Sequence, residues 1–236
     1  MGKRIVFLSN APRRVAAVVT TLELLGIGSS LYDAVVTSGE VAFHSLLTAP
    51  KTYIYLGPEK DRDVLAGSGC VEVSSYSEAD FILCAGYRDE YEAESAHTEL
   101  LKELKAQSLP MICINPDLLV VKQDGREILC AGLLARQYQA LGGDVTYFGK
   151  PYKSVYDFAV NSLTETRKEK ILAIGDSLHT DILGANSYGV DSLLITGGIL
   201  SVVHGYEKTA LPTQSLIDSL ISEEKAVPNF VAATFS

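Results

Sequence analysis

The chain is expected to be an α/β protein: a Rossmann-like parallel sheet core carrying an inserted, smaller α/β cap. Three observations lead there. Short apolar runs such as Val6-Phe7-Leu8, Thr52 to Leu56 and Leu172 to Ile174 recur along the sequence. Segments of helix length separate most of them, which is the spacing that parallel strands with crossover connections require. Several of the runs end in Ser, Asn, Gly or Asp, so polar groups gather at the carboxyl ends of strands, where open α/β sheets take their ligands.

Composition narrows the class further. A hydrophobic content of 47% with only 8 Pro fits a folded core and excludes a disordered or linker-rich chain. No apolar run approaches the roughly 18 residues of a membrane-spanning helix, and the apolar start at Ile5 to Leu8 stops at Ser9-Asn10, too short for a signal peptide. The four cysteines, Cys70, Cys84, Cys113 and Cys130, are widely spaced and read as small apolar residues of a cytoplasmic protein. A net charge of −9 disfavours nucleic acid or an anionic membrane as partner. It leaves room for a small phosphate, because a metal ion and a lysine can reverse the sign at one site.

In chain order, Arg4 to Leu8 reads as a strand. A helix over Val15 to Leu25 follows, with Val15, Val18, Val19, Leu22 and Leu25 on one face. A strand over Tyr32 to Val36 leads into a helix through Leu47 that stops before Pro50. Between Pro50 and about Cys130 the strand-like runs are Thr52 to Leu56, Val71 to Ser74, Phe81 to Ala85 and Met111 to Ile114, with helices at Asp61 to Ala66 and Glu92 to Gln107. This stretch reads as the inserted unit, 50–127, flanked by core segments 1–49 and 128–236. From Ile128 a helix to Leu141, a strand at Val145 to Phe148 and a helix through Leu163 are expected. Strands at Ile171 to Gly175, Asp191 to Thr196 and Phe230 to Thr234 complete the chain.

Three small motifs then fall at strand ends. Ser9-Asn10 offers a hydroxyl, an amide and exposed N–H groups, all suited to phosphate oxygens. Lys150 stands between Gly149 and Pro151 at the start of a helix, a fixed position for an ammonium that neutralises phosphate charge. Asp176 and Asp181 stand five residues apart, at a strand's end and at the next helix's opening, with Thr180 as the expected N-cap. Oxygen donors there suit Mg²⁺ held for a phosphorylated substrate. The order of hydroxyl, lysine and paired acids is more specific than any one motif.

With Leu8-Ser9-Asn10, Gly149-Lys150-Pro151-Tyr152 and Gly175 to Ala185 in view, the chain resembles the haloacid dehalogenase superfamily of phosphohydrolases. It is most similar to the type IIA branch of nucleotidases and p-nitrophenyl phosphatases, which carries an α/β cap between its second and third motifs. Asn115-Pro116-Asp117 matches an Asn-Pro-Asp segment near the end of that cap. The resemblance implies a Mg²⁺-dependent phosphatase of small phosphorylated metabolites. It implies that Ser9 binds the transferring phosphoryl group, supported by Asn10, and that Lys150 stabilises its charge. Asp176 would ligate Mg²⁺, and Asp181 would position the metal site or Lys150. Asn115, Asp117 and Arg88, with Tyr87, are candidates for substrate contact.

One departure stands against these matches. The family attacks phosphorus with an aspartate on a strand preceding the Ser motif, forming an aspartyl-phosphate. Only eight residues precede Ser9, and none is Asp. Asp61 and Asp63 lie in the expected cap, and Asp117 belongs to a turn. The first, nucleophile-bearing strand is therefore expected to be absent, with Met1 an internal or misplaced start. The rival reading is a non-catalytic phosphometabolite-binding relative or an inactive fragment. The sequence leaves the oligomeric state open, a homo-oligomer included.

Overall fold

The computed structural model describes residues 2–47, 51–122, 125–163 and 167–235. The chain opens with β1 (Val6–Ser9), α1 (Val15–Leu24), β2 (Ala34–Thr37) and α2 (Ser38–Leu46). β1 and β2 pair in parallel, from Val6 opposite Ala34 to Ser9 opposite Thr37. A parallel pair cannot be joined by a tight turn, and α1 supplies the crossover. Thr37 then caps α2, its hydroxyl accepting from the Glu40 N–H at 3.1 Å. The expected helix stop at Pro50 lies outside the described residues.

The inserted unit follows with β3 (Thr52–Leu56), β4 (Val71–Glu72), β5 (Phe81–Cys84), α3 (Thr98–Ala106) and β6 (Met111–Cys113). A hairpin of β7 (Leu119–Val121) and β8 (Glu127–Leu129) leads to α4 (Ala131–Ala140) and β9 (Val145–Tyr147). The main sheet here is parallel, in the order β4-β3-β5-β6-β9. Side-chain alternation gives it two apolar faces. Ile54, Leu56, Ile82, Cys84 and Met111 pack with α3 and α4, while Tyr53, Tyr55, Phe81 and Leu83 pack with α2 and the 3₁₀ turns of Glu59–Leu65.

The pairing of β9 with β6 corrects the expected boundary. Residues 128–147 do not belong to the core sheet: β8 pairs with β7 across position 128, and α4 and β9 complete the inserted unit's own sheet. Two helices also shift. Ile128 lies in a strand, and the helix begins only after Cys130, whose extended backbone caps it. Residues before Thr98 do not continue α3, because Glu92 Oε2 instead accepts from the Arg88 N–H at 2.8 Å and hydrogen-bonds His97 Nε2 at 2.8 Å. Asp61 to Ala66 forms 3₁₀ turns rather than an α-helix.

The chain returns through α5 (Lys153–Asn161), β10 (Leu172–Gly175), α6 (Leu183–Tyr188), β11 (Asp191–Ile195), α7 (Ile199–His204), α8 (Gln214–Glu224) and β12 (Phe230–Ala232). β10, β11 and β12 form a parallel sheet of their own. β1 and β10 share one apolar cluster with α5 and α6, through Val6, Leu8, Ile171 and Ala173. Among the described residues, β1 pairs only with β2, and β10 only with β11.

Candidate active site

The ends of β1, β9 and β10 bring the three motifs together. Asn10, just past β1, is buried and works as a clasp: its Oδ1 accepts from the Lys150 N–H at 2.6 Å. Its Nδ2 donates to Asp117 Oδ1 at 2.9 Å and to the Lys150 carbonyl at 3.0 Å. Such closeness demands a glycine at 149, where φ is +126° and a Cβ would sit 2.7 Å from Asn10 Oδ1. The Ser9 hydroxyl accepts from the Ala11 N–H at 3.2 Å, leaving its own proton to donate.

Lys150 Nζ donates to Asp181 Oδ1 at 2.7 Å, with only 16% and 12% of the two side chains exposed. The other Asp181 oxygen accepts from the Ser177 N–H at 3.2 Å. Both Asp181 oxygens are thus engaged, which orients the ammonium toward the cavity rim. Asp176 Oδ2 accepts from the Ile199 N–H at 3.0 Å, and its Oδ1 has no hydrogen-bond partner among the described residues. The N-cap here is Ser177, not Thr180: its hydroxyl accepts from the Thr180 N–H at 3.3 Å. The chain makes a wide π turn over Leu178–Ile182, which buries Thr180 inside it.

Ser9, Asn10, Lys150, Asp176 and Asp181 all line one cavity of about 790 Å³. Asp117 lines it too, and burial pushes its carboxyl above the usual carboxylate range against the lowering pull of Asn10 and Lys150. Two expected contacts are not brought to the cavity. The Asn115 side chain accepts from the Asp117 N–H at 3.2 Å and so shapes the turn that presents Asp117. Arg88 is exposed on a loop whose backbone is tied to Glu92.

A family model described as HAD-hydrolase-like matches residues 147–222. A hydrolase of the haloacid dehalogenase-like family from Brucella suis 1330 superposes with a TM-score of 0.83 at 32% identity, over 99% of this chain and 83% of that one. The chain belongs to this family. Sugar-phosphatase AraL of Bacillus subtilis (strain 168) is 27% identical over 93% of the chain and 79% of its own length. Glycerol phosphate phosphatase Rv1692 of Mycobacterium tuberculosis, in complex with magnesium, superposes with a TM-score of 0.69 at 24% identity, over 98% of this chain and 65% of that one. A 62-residue stretch is also 40% identical to a cardiolipin synthase / mitochondrial hydrolase fusion protein of Schizosaccharomyces pombe, covering 23% of this chain and a tenth of that protein.

In this haloacid dehalogenase-like chain the inserted second sheet is the arrangement expected of the type IIA branch. No group of three or more His, Cys, Asp or Glu is disposed to hold a metal among the described residues. Mg²⁺ is commonly bound through one or two carboxylates plus water and substrate phosphate. Asp176, with one oxygen held by a backbone N–H and the other unengaged, fits that mode.

Sequence reasoning missed part of the lining, formed by Leu119, Val120, Val121 and Lys122 around the β7–β8 hairpin, with Ile199, Val202 and Lys208. The hairpin had a signal: the apolar run Leu118 to Val121 followed shortly by Gly125. Gly197 and Gly198, just past β11, also line the cavity. Thr37 and Ser38 make structural bonds, to the carbonyls of Arg13 at 2.5 Å and Ile114 at 2.6 Å.

Proposed function

We propose that this fold serves a Mg²⁺-dependent phosphoric monoester hydrolase of a small phosphorylated metabolite. In this reading an aspartyl-phosphate forms on an aspartate that is not among residues 1–236. The observation that carries it is the convergence of Ser9, Asn10, the Lys150–Asp181 pair and Asp176 on one cavity. Ser9 and the backbone N–H groups beside it bind phosphoryl oxygens, and Lys150, held by Asp181, neutralises their charge. Asn10, itself held by Asp117, keeps the Lys150 backbone in place. Asp176 holds Mg²⁺, which when bound offsets the charge that develops on the transferring group.

Two observations support placing the nucleophile on a strand paired between β1 and β10. Each of these strands keeps an edge without a partner among the described residues, and both line the same apolar cluster. A net charge of −9 supports a small phosphorylated ligand over nucleic acid or an anionic membrane. The free cysteines, three of them buried, support a reducing cytoplasm.

The rival reading is a phosphometabolite-binding protein without turnover. It is favoured by the absence of any aspartate lining the cavity beyond Asp117, Asp176 and Asp181 among the described residues. An assay on a panel of phosphate esters, with and without Mg²⁺, separates the two. Residues 1–236 are expected to be inactive, and the same chain with an Asp-bearing apolar strand fused ahead of Lys3 to be active with Mg²⁺. Two folded, inactive proteins that still bind phosphate esters would establish the binder instead.

A further inference from the structure

The loop after β1 that carries Ser9 and Asn10 ends in an ion pair outside the cavity. Arg13 Nε donates to Asp61 Oδ1 at 2.6 Å. Asp61 belongs to the 3₁₀ turns of Glu59–Leu65 in the inserted unit, and only 3% of its side chain is exposed, against 35% for Arg13. Among the described residues no other hydrogen bond or ion pair reaches the Asp61 carboxylate. Stability is a weak reason to keep such a pair, because taking the charges out of water offsets much of their attraction.

Geometry is a stronger one. The Ala11 N–H donates to the Ser9 hydroxyl at 3.2 Å. The Ala11 carbonyl accepts from the Ser38 hydroxyl at 3.0 Å and from the Gly39 N–H at 3.2 Å. The Arg13 carbonyl accepts from the Thr37 hydroxyl, and a Cβ on Gly39 would lie 2.6 Å from the Arg13 backbone N and O. These contacts tie the loop to the start of α2 in the core. Two of its side chains tie it to the inserted unit instead: Asn10 through Asp117, which follows β6, and Arg13 through Asp61, which follows β3. Two separate anchors resist rotation of the loop, where one would act as a pivot.

We propose that Arg13 and Asp61 are positioning residues, whose ion pair sets the direction in which the loop presents the Ser9 hydroxyl and its neighbouring N–H groups to a phosphoryl group. This inference rests on the phosphate-binding role given to Ser9 under the functional reading. Neither residue lines the cavity, so both act through the loop.

The test pairs titration calorimetry of inorganic phosphate with urea unfolding on residues 1–236. The titrations contain trimethylamine N-oxide, which favours the folded state and keeps weakened variants folded. Arg13→Met leaves a buried carboxylate alone, and should lower both the unfolding midpoint and, by roughly tenfold, the phosphate affinity, the size expected when one hydrogen bond to a charged group is misaligned. Combining Arg13→Met with Asp61→Leu exchanges the charges for apolar side chains, a change that often leaves a fold as stable as before. In that double variant the midpoint should return toward wild type while phosphate affinity stays roughly tenfold down, since the second anchor is still missing. A merely structural pair would move both readouts together. Phosphate affinity that recovers along with the midpoint overturns the proposal, as does wild-type affinity in folded Arg13→Met. Those results would leave the functional reading standing, whereas a wild type that binds no phosphate removes the reading and the proposal together.

Discussion

The parallel sheet of the inserted unit and the parallel strands of the core differ sharply in how they are covered. In the inserted unit β5 is buried at every position, and Leu56, Ile82, Leu83 and Met111 are fully shielded. In the core, β1 has no buried residue, β10 alternates with exposed positions, and Leu172 and Ile174 are 47% and 44% exposed. Both sheets have apolar strand sequences, so composition does not explain the contrast. Coverage does. Parallel strands bury both faces only when elements pack on each side. The inserted sheet has α3 and α4 on one face and α2 with the 59–65 turns on the other. The strands β1 and β10 have α5 and α6 on one face. Apolar sequence sets a strand's capacity for burial, and its neighbours decide whether that capacity is used.

The largest expected effect tests that contrast directly. Leu83→Ala should cost about 2–5 kcal/mol in urea unfolding, because it removes a fully buried side chain from a sheet packed on both faces. Ile174→Ala, an equally drastic truncation in sequence terms, should cost under about 1 kcal/mol. Equal costs would break the comparison and show that the open face of β10 is covered in solution.

Legibility from sequence followed the same division. The runs that became β1, β3, β5, β10 and β11 were readable because each is short, apolar and stopped by Ser, Gly or Asp. Ser9, Lys150 and Asp176 were readable because they sit where such runs end. The hairpin wall and Lys208 were not, since nothing local ties Lys208 to a site whose nearest motif lies at Asp176. Its place follows from the packing of the 206–210 loop on Gly197. Ser177 and Thr180 show a smaller limit. Both can cap a helix, and the wide turn over 178–182, which no side-chain period announces, selects Ser177.

An intermediate effect lies at the open sheet's functional end. Gly198→Ala would place a Cβ 2.1 Å from Asp176 Oδ2 and displace the carboxylate from the Ile199 N–H that now holds it. Disturbing a group that orients a metal ligand costs roughly 10–100-fold in metal affinity. Titration of Mg²⁺ in the presence of inorganic phosphate should show a loss in that range with the unfolding midpoint little changed. An unaltered Mg²⁺ titration would remove Asp176 from the metal site.

The smallest effect sits where the two sheets meet. Asp117 follows β6 of the well-covered sheet, yet its carboxylate accepts from Asn10 at the end of β1. Burial raises its pKa above the unfolded value of about 3.9 despite Asn10 and Lys150. For an acid that sign means the folded state holds the proton more tightly than the unfolded chain. Asp117 therefore costs stability progressively as pH rises from about 4 through its raised value. Asp117→Asn keeps an oxygen for the Asn10 amide and carries no charge, so it lacks this dependence. The midpoint of wild type minus that of the variant, followed from acid to neutral pH, should fall as pH rises, because every other carboxylate is common to both proteins. A difference that instead grew with pH would mean that Lys150 outweighs burial. The junction between the sheets would then be held by charge pairing rather than strained by an enclosed carboxylate.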